Sequence, residues 1–185
     1  MNHFLHHDES RYRGTVRLLR RSELPQFRAH LLRLDTQSRR DRFNGPTNDI
    51  FLESYAARCF TDGTLVIGYV EQGPVLAAAE LHERPEDVVP TGEIAFSVER
   101  HMQHRGLGGA LFSRLIESAR AFGYERLLVT THPHNEAMKR LARRFNASLR
   151  FADGETMGEI ALDPLPTLPE RPGAGGFETP RPPLF

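Results

Sequence analysis

Cysteine is nearly absent, Cys59 being the only one in 185 residues. One thiol closes no disulfide within the chain and builds no cysteine zinc cluster, which excludes disulfide scaffolds and zinc ribbons and points to a reducing, cytoplasmic setting. An excess of charge of one sign is lacking too. With 24 basic and 24 acidic residues the formal net charge is zero, so no global field favours nucleic acid or a membrane surface, and neither is expected as a partner. No stretch approaches the roughly 20 consecutive apolar residues of a membrane span, and the opening MNHFLHHDESRYRG has no apolar run of signal-peptide length. The chain reads as soluble and intracellular. Lysine is scarce: Lys139 stands alone among arginines scattered through every segment, a bias of genome composition rather than of function.

What is present suffices for one core. A length of 185 residues with 39% hydrophobic content fits one compact domain and argues against two. The ends differ from the middle. Residues 1–13 are polar, and His3, His6 and His7 belong to a flexible terminal segment rather than a metal tract. From Pro164 to Phe185 the chain carries seven of its 13 prolines, a density that sustains neither helix nor interior strand. This tail is expected to be extended, with docking on a partner through Phe177, Leu184 and Phe185 as the functional alternative.

Between the ends the apolar period switches repeatedly. Thr15–Leu19 reads as a strand, and Glu23–Leu34 as a helix with Ser22 as cap and Pro25 in its first turn. Ser38–Phe43 and Asp49–Arg58 suggest a second helical region, broken by Gly45-Pro46. Leu65–Glu71, Pro74–Glu83 and Gly92–Glu99 are strand-like, the first two joined by a tight turn at Gln72-Gly73. Leu107–Phe122 repeats apolar residues at helical spacing and stops at Gly123. Arg126–Thr131 is a short strand, Asn135–Phe145 a second amphipathic helix, and Leu149–Phe151 with Met157–Leu162 a last hairpin. This order predicts an α/β (α+β) domain of three layers, a mixed, mostly antiparallel sheet between helices, over 14–163.

The junction from Glu93 to Ala110, EIAFSVERHMQHRGLGGA, carries the chemistry. A strand passes through a polar loop into three glycines and a helix, and a helix N-terminus offers unpaired N–H groups and a positive dipole end to a phosphate or pyrophosphate. The alternative is a merely tight connection. A Walker loop fails because no lysine follows the glycines, and a dinucleotide fingerprint fails because Leu111 stands where the third glycine belongs.

The string Gln103-His104-Arg105-Gly106-Leu107-Gly108 resembles the pyrophosphate loop Q/R-x-x-G-x-G/A of the GNAT superfamily of acyl-CoA-dependent N-acyltransferases. Asn135 matches a second family feature, an asparagine opening the helix after the fifth strand. Within the superfamily the chain looks closest to the acetyltransferase domain of bacterial protein-lysine acetyltransferases, through Glu93 leading the fourth strand, the Met138–Arg144 pattern and the Ser38–Phe43 segment. The resemblance implies that backbone N–H groups from Gln103 through His104, Arg105, Gly106 and Leu107 to Gly108 bind the pyrophosphate of acetyl-CoA, with Arg105 near the phosphates. It implies likewise that the main chain of Phe96 and Val98 pairs with the pantetheine arm, and that Asn135 bonds the cosubstrate.

Acetyl transfer needs a neutral amine, a polarised thioester carbonyl and a proton for the leaving thiolate. Glu93, sharing a strand face with Ala95 and Ser97, is the expected general base, with Glu80 on the preceding strand in reserve. Many family members carry a tyrosine seven residues after the asparagine as general acid; here that position is Ala142, which leaves water or Ser97. His132 and His134 have no partner spaced for metal binding and read as rim residues. Cys59 reads as a small buried hydrophobe, and no metal is expected. The expected activity is direct transfer from acetyl-CoA to a primary amine, of a protein lysine or a small molecule, in a ternary complex. The acceptor would be chosen by Thr36–Thr47 and the loop Arg84–Thr91. A CoA-binding sensor or interaction module without catalysis is the alternative, and a homodimer is possible through a sheet edge or the tail. The basic face Lys139, Arg140, Arg143, Arg144 and Arg150 reads as solvated rather than as a nucleic-acid patch.

Overall fold

The structure, a computed structural model, describes residues 13–60 and 64–163. The terminal segment with His3, His6 and His7 and the proline-rich tail lie outside the described residues. In chain order come β1 (Thr15–Leu18), α1 (Leu24–Arg33), α2 (Thr36–Phe43), α3 (Asp49–Cys59), β2 (Leu65–Val70), β3 (Val75–Glu83), β4 (Thr91–Val98), α4 (Leu107–Ala121), β5 (Arg126–Thr131), α5 (Glu136–Arg144), β6 (Ser148–Ala152) and β7 (Glu155–Ala161). The strands form one sheet in the order β1-β2-β3-β4-β5-β7-β6. Only β4 and β5 run parallel; every other neighbouring pair is antiparallel.

Strand alternation builds the three layers. In β3, Ala77, Ala79 and Leu81 face a core with Leu111, Phe112 and Leu115 of α4, while Ala78 faces a second core with Phe27 and Leu31 of α1 and Ala56 of α3. The run of three alanines, Ala77 to Ala79, lets both helical layers come close. The three-layer α/β fold expected from the sequence is the fold found.

Local chemistry sets the ends. Gln72 and Gly73 both take positive φ (53° and 112°), and the Glu71 N–H donates to the Pro74 carbonyl across 3.1 Å, which makes the two-residue hairpin turn. Asp153-Gly154 does the same for β6 and β7 (52° and 82°). Asp35 caps α2 by accepting from the Gln37 and Ser38 N–H groups, both at 3.0 Å, and Asn48 caps α3 by accepting from Phe51 N–H at 2.8 Å. The expected Ser22 cap gives way: Arg21–Glu23 is a short 3-10 turn, and α1 starts at Leu24, with Glu23 in the N-cap position and no side chain capping it. Glu23 is drawn there by Arg17, whose guanidinium donates to both its carboxylate oxygens at 2.6 and 2.8 Å. No helix among the described residues is long and apolar enough to cross a membrane.

The sheet comes apart at one place. β4 pairs with β5 only from Thr91 to Glu93, against Arg126 to Leu128. Beyond Glu93 the two strands separate, because β4 leads into the glycine loop while β5 leads toward Asn135.

Candidate active site

A cleft of about 820 Å³ fills the separation. Residues 93–98 of β4, the loop from Met102 into α4, Val129–Thr131 of β5, the cleft-facing side of α5 and the end of α2 line it. The main chain of β4 is half committed. Arg84 N–H donates to the Thr91 carbonyl at 3.0 Å and Glu99 N–H to the Leu76 carbonyl at 3.1 Å. Odd-numbered residues of this strand therefore bond β3, and beyond the last pair with β5, Glu93 with Leu128, the main chain of Phe96 and Val98 faces the gap. That row of exposed polar groups is an open strand edge, able to take an extended ligand.

Gln103 fixes the loop to this edge. Its Nε2 donates to the Val98 carbonyl at 3.0 Å and to Ser38 Oγ at 3.2 Å, which ties β4, the loop and α2 together. His104 (φ 59°) and Gly106 (φ 87°) then turn the chain left-handed into α4. Gly106 is the N-cap of α4 and no side chain caps it, so the first N–H groups of the helix open onto the cleft. At Gly108 a Cβ would come within 3.2 Å of Leu141 Cδ2, so this glycine sets how closely α4 approaches α5. Gln103, His104, Gly106, Leu107 and Gly108 all line the cleft, and the Arg105 side chain is exposed beside it.

Asn135 caps α5, its Oδ1 accepting from Met138 N–H at 3.0 Å, and lines the cleft as well. Asn135→Ala should lower stability by about 1 kcal/mol in urea unfolding. From α5, Arg140 and Arg144 reach the cleft, whereas Lys139 is turned to the Pro133 carbonyl (2.6 Å) and Glu136. Part of the basic face is thus cleft wall and not only solvated surface. Under the opening, Phe96 stacks on Phe112 (4.9 Å between centroids) and Phe112 on Phe145 (4.2 Å), an apolar floor. Ala142 is buried in that core and does not face the cleft. His132 and His134 bond one another, His134 N–H donating to His132 Nδ1 at 3.2 Å, outside the cleft lining.

The two candidate carboxylates differ sharply. Glu93 lines the cleft with its side chain 40% exposed, and its Oε2 lies 3.3 Å from Arg84 Nη1. Glu80 is fully buried and is not among the cleft-lining residues. Its Oε2 accepts from Arg42 Nη2 (2.8 Å), the Tyr55 hydroxyl and Cys59 Sγ (3.6 Å), with His82 Nε2 at 3.2 Å. Burial works to raise this carboxyl, but the Arg42 charge and the bonds from His82 and Tyr55 outweigh it and hold Glu80 well below the ordinary carboxylate range. An acid so committed is a poor proton acceptor, and its placement gives the reserve role no support. Burial, and then the charge of Glu80, push the Cys59 thiol up, which makes it a packed hydrophobe rather than a nucleophile. Cys59, Glu80 and His82 do hold ligand atoms within 4.8 Å of one another, but the Arg42 guanidinium already supplies the positive charge a metal ion would bring.

The acetyltransferase (GNAT) family model matches residues 18–147. The acetyltransferase Pat of Mycolicibacterium smegmatis is 33% identical over 101 residues, which cover 54% of this chain and 30% of that protein's length. Among solved structures, the GNAT domain of S. lividans PAT superposes with a TM-score of 0.69 at 20% identity, over 80% of this chain and 90% of that one. The yncA acetyltransferase of Salmonella typhimurium, solved with its cofactor acetyl-CoA, superposes with a TM-score of 0.61 at 18% identity, over 84% and 98%. At these identities the structural likeness is one of fold.

Proposed function

The chain belongs to the GNAT acetyltransferase family, and from that premise we propose that it transfers an acetyl group from acetyl-CoA to a primary amine, of a protein lysine or a small molecule, by direct attack in a ternary complex. One observation carries the reading: a strand edge with unpaired main chain ends in an uncapped, glycine-bearing helix N-terminus, and both open into the same 820 Å³ cleft. An extended arm fits the first and a pyrophosphate the second. The residues present suit acetyl-CoA. Backbone N–H groups from Gln103 to Gly108 would hold its phosphates, with Arg105, Arg140 and Arg144 adding charge. The main chain of Phe96 and Val98 would hold its arm, the Val98 N–H in particular, since the Val98 carbonyl already accepts from Gln103. Asn135 has its amide nitrogen to offer from the α5 side. The thioester supplies the activated acetyl group. Glu93 is the base that takes a proton from the arriving ammonium, the exposed carboxylate of the lining on the strand that would carry the thioester.

Acidic groups mark the acceptor end. Asp41, Glu93 and Glu155 line the cleft, and Asn44 Nδ2 donates to Glu155 Oε1 at 3.0 Å, joining the end of α2 to the last hairpin over it. A cationic amine is attracted there.

The test is calorimetric titration with acetyl-CoA of the wild-type chain and of a Gly106→Glu, Gly108→Glu double variant. The new carboxylates meet the helix N-terminus and fill the phosphate space, so binding should weaken at least 100-fold. The left-handed φ at residue 106 should also cost about 1 kcal/mol of stability, and circular dichroism checks that the variant is folded. No binding by the folded wild type would sink the reading. Tight binding with no amine-dependent release of CoA would favour a binding module instead.

A further inference from the structure

Between α1 and the end of β4, three side chains form a hydrogen-bonded chain that ends at the cleft. Ser97 lines the cleft, and its Oγ lies 2.9 Å from His30 Nε2. His30 Nδ1 lies 3.1 Å from Glu99 Oε1. Arg33 donates to the same oxygen from Nε at 3.0 Å and from Nη2 at 2.7 Å, and Nη2 also donates to the Val75 carbonyl at 2.7 Å. His30 is fully buried, and Ser97 and Glu99 are each 5% exposed. A carboxylate only accepts, so the imidazole hydrogen sits on Nδ1, Nε2 keeps its lone pair, and the Ser97 hydroxyl donates to it. Burial, partly offset by Glu99, holds the imidazole below its ordinary value and therefore neutral at pH 7; Arg33 and Glu80 are the other charges that act on it.

This is a hydroxyl, a base and a group that orients the base, the arrangement that makes a serine proton mobile. A purely structural polar contact between α1 and β4 needs no member at the cleft. Ser97 is at the cleft, on the strand stretch whose neighbours Phe96 and Val98 offer the open edge. Among the described residues four with aliphatic hydroxyls line the cleft, Ser38, Ser97, Thr130 and Thr131, and of these Ser97 is the one bonded to an imidazole. Ser38 donates instead to the Asp35 cap (2.9 Å), and Thr131 Oγ1 has no partner among the described residues. Among the described residues, no tyrosine or cysteine lines the cleft.

We propose that Ser97 is a catalytic proton carrier of the acetyl transfer, with His30 as its proton store and Glu99, held by Arg33, as the positioning residue; the inference rests on the acetyl-transfer reading. The protons balance as follows. Glu93 first takes a proton from the ammonium, leaving a neutral amine. When the amine nitrogen bonds the acetyl carbon it becomes positive and must lose a second proton. Ser97 Oγ accepts that proton while its own passes to His30 Nε2, and Glu99 offsets the imidazolium charge. As the carbon–sulfur bond breaks, Ser97 gives a proton to the leaving sulfur and recovers one from His30. One proton has moved from nitrogen to sulfur, and Ser97 and His30 end as they began. A proton supply to the thiolate that the sequence left to water or to Ser97 is thereby given a base and an acid behind the hydroxyl.

The test compares wild type, Ser97→Ala, Ser97→Thr and His30→Gln, using whichever amine gives the highest wild-type rate in a screen of N-α-acetyl-lysine, polyamines and lysine-rich protein. Ser97→Ala is expected to lower kcat about 100-fold, with the acetyl-CoA Kd from calorimetry little changed and the melting temperature lowered by a few degrees, because the buried His30 Nε2 loses its partner. Ser97→Thr, which keeps the hydroxyl, should stay within about tenfold of wild type. His30→Gln keeps a donor and an acceptor but stores no proton, and should fall with Ser97→Ala. Nitrogen-15 NMR of the ligand-free protein supplies a readout apart from activity: the His30 signals, identified by their loss in His30→Gln, should report hydrogen on Nδ1. Hydrogen on Nε2, an unchanged kcat in Ser97→Ala, a loss confined to KM, or an acetylated Ser97 trapped by mass spectrometry would each overturn the relay while leaving the acetyltransferase reading intact. A wild type that binds no acetyl-CoA overturns both.

Discussion

Glu80→Ala should destabilise the domain by about 3–5 kcal/mol in urea unfolding, because it leaves the Arg42 guanidinium without its counter-charge. The Arg42 side chain is 9% exposed and Glu80 is not exposed at all, so little water can take over. Tyr55 and Cys59 lose the same acceptor oxygen. The damage reaches function indirectly, since Arg42 lines the cleft and its guanidinium packs 4.6 Å from the Phe43 ring centroid at the end of α2. Glu80→Gln keeps the shape and an acceptor oxygen but not the charge, and should cost less than alanine. Comparing the two separates the lost hydrogen bonds from the lost ion pair.

The same pair predicts an acid signature. Glu80 titrates in the folded chain at about 2, against an ordinary value of 4.5. A carboxylate whose folded value lies below its unfolded value contributes stability that is complete above 4.5 and is lost as the pH falls through about 2. The stability gap between wild type and Glu80→Gln should therefore narrow from pH 4.5 downward and be flat above pH 6. A gap that stays constant down to pH 2 would show that Glu80 holds its place without its charge.

What the sequence made legible was local. The loop Gln103 to Gly108 and the cap Asn135 are short segments whose conformation depends on backbone within a few residues, so a resemblance to a family motif was enough to single them out. The hairpin turn at Gln72-Gly73 was legible from its glycine; the last hairpin was read without its turn, which the structure places at Asp153-Gly154. The pairs that decide the chemistry behind the cleft are not local. His30 meets Ser97 across 67 positions and Glu99 across 69, and Arg42 meets Glu80 across 38. Nothing in the periodicity of α1 distinguishes His30 from any polar residue on a buried face, and Glu80 within VLAAAELHE reads as readily as a base as it does as a structural anchor. Sheet order was hidden for the same reason: β7 lies between β5 and β6 and pairs with both, which the pattern of neither strand shows. Ser22 was the more conventional cap, but the helix begins after a 3-10 turn whose Glu23 carboxylate is held by Arg17 on β1, and a strand partner is invisible to a reading of helix ends.

Glu93→Gln should lower kcat about 100-fold while leaving the acetyl-CoA Kd from calorimetry unchanged, equivalent to roughly 2.7 kcal/mol of transition-state stabilisation. The substitution preserves the size of the side chain and its hydrogen-bonding oxygen, and removes only the capacity to take a proton. Glu93 lies on the β4 face of Ala95 and Ser97, and its contact with Arg84 is a shared one, because Arg84 also meets Glu86 and Asp87. An arginine already supplied with two other carboxylates does not depend on Glu93 to stay folded, so the variant should keep its melting temperature. Glu117→Gln, on the exposed side of α4, is the matched control and should keep the wild-type rate. The double variant Glu93→Gln, Ser97→Ala then tells whether the two residues handle separate protons. If Glu93 acts on the arriving ammonium and Ser97 on the later proton, only the slower of the two steps limits the double variant, and at a pH where the acceptor is an ammonium the combined loss should be far smaller than the product of the single losses. The condition that separates the two residues is an acceptor supplied at a pH where its amine is already neutral. Under that condition Glu93→Gln should recover most of its rate and Ser97→Ala should not. Recovery of both variants, or of neither, would mean that one carboxylate and one hydroxyl share a single proton path rather than dividing the work.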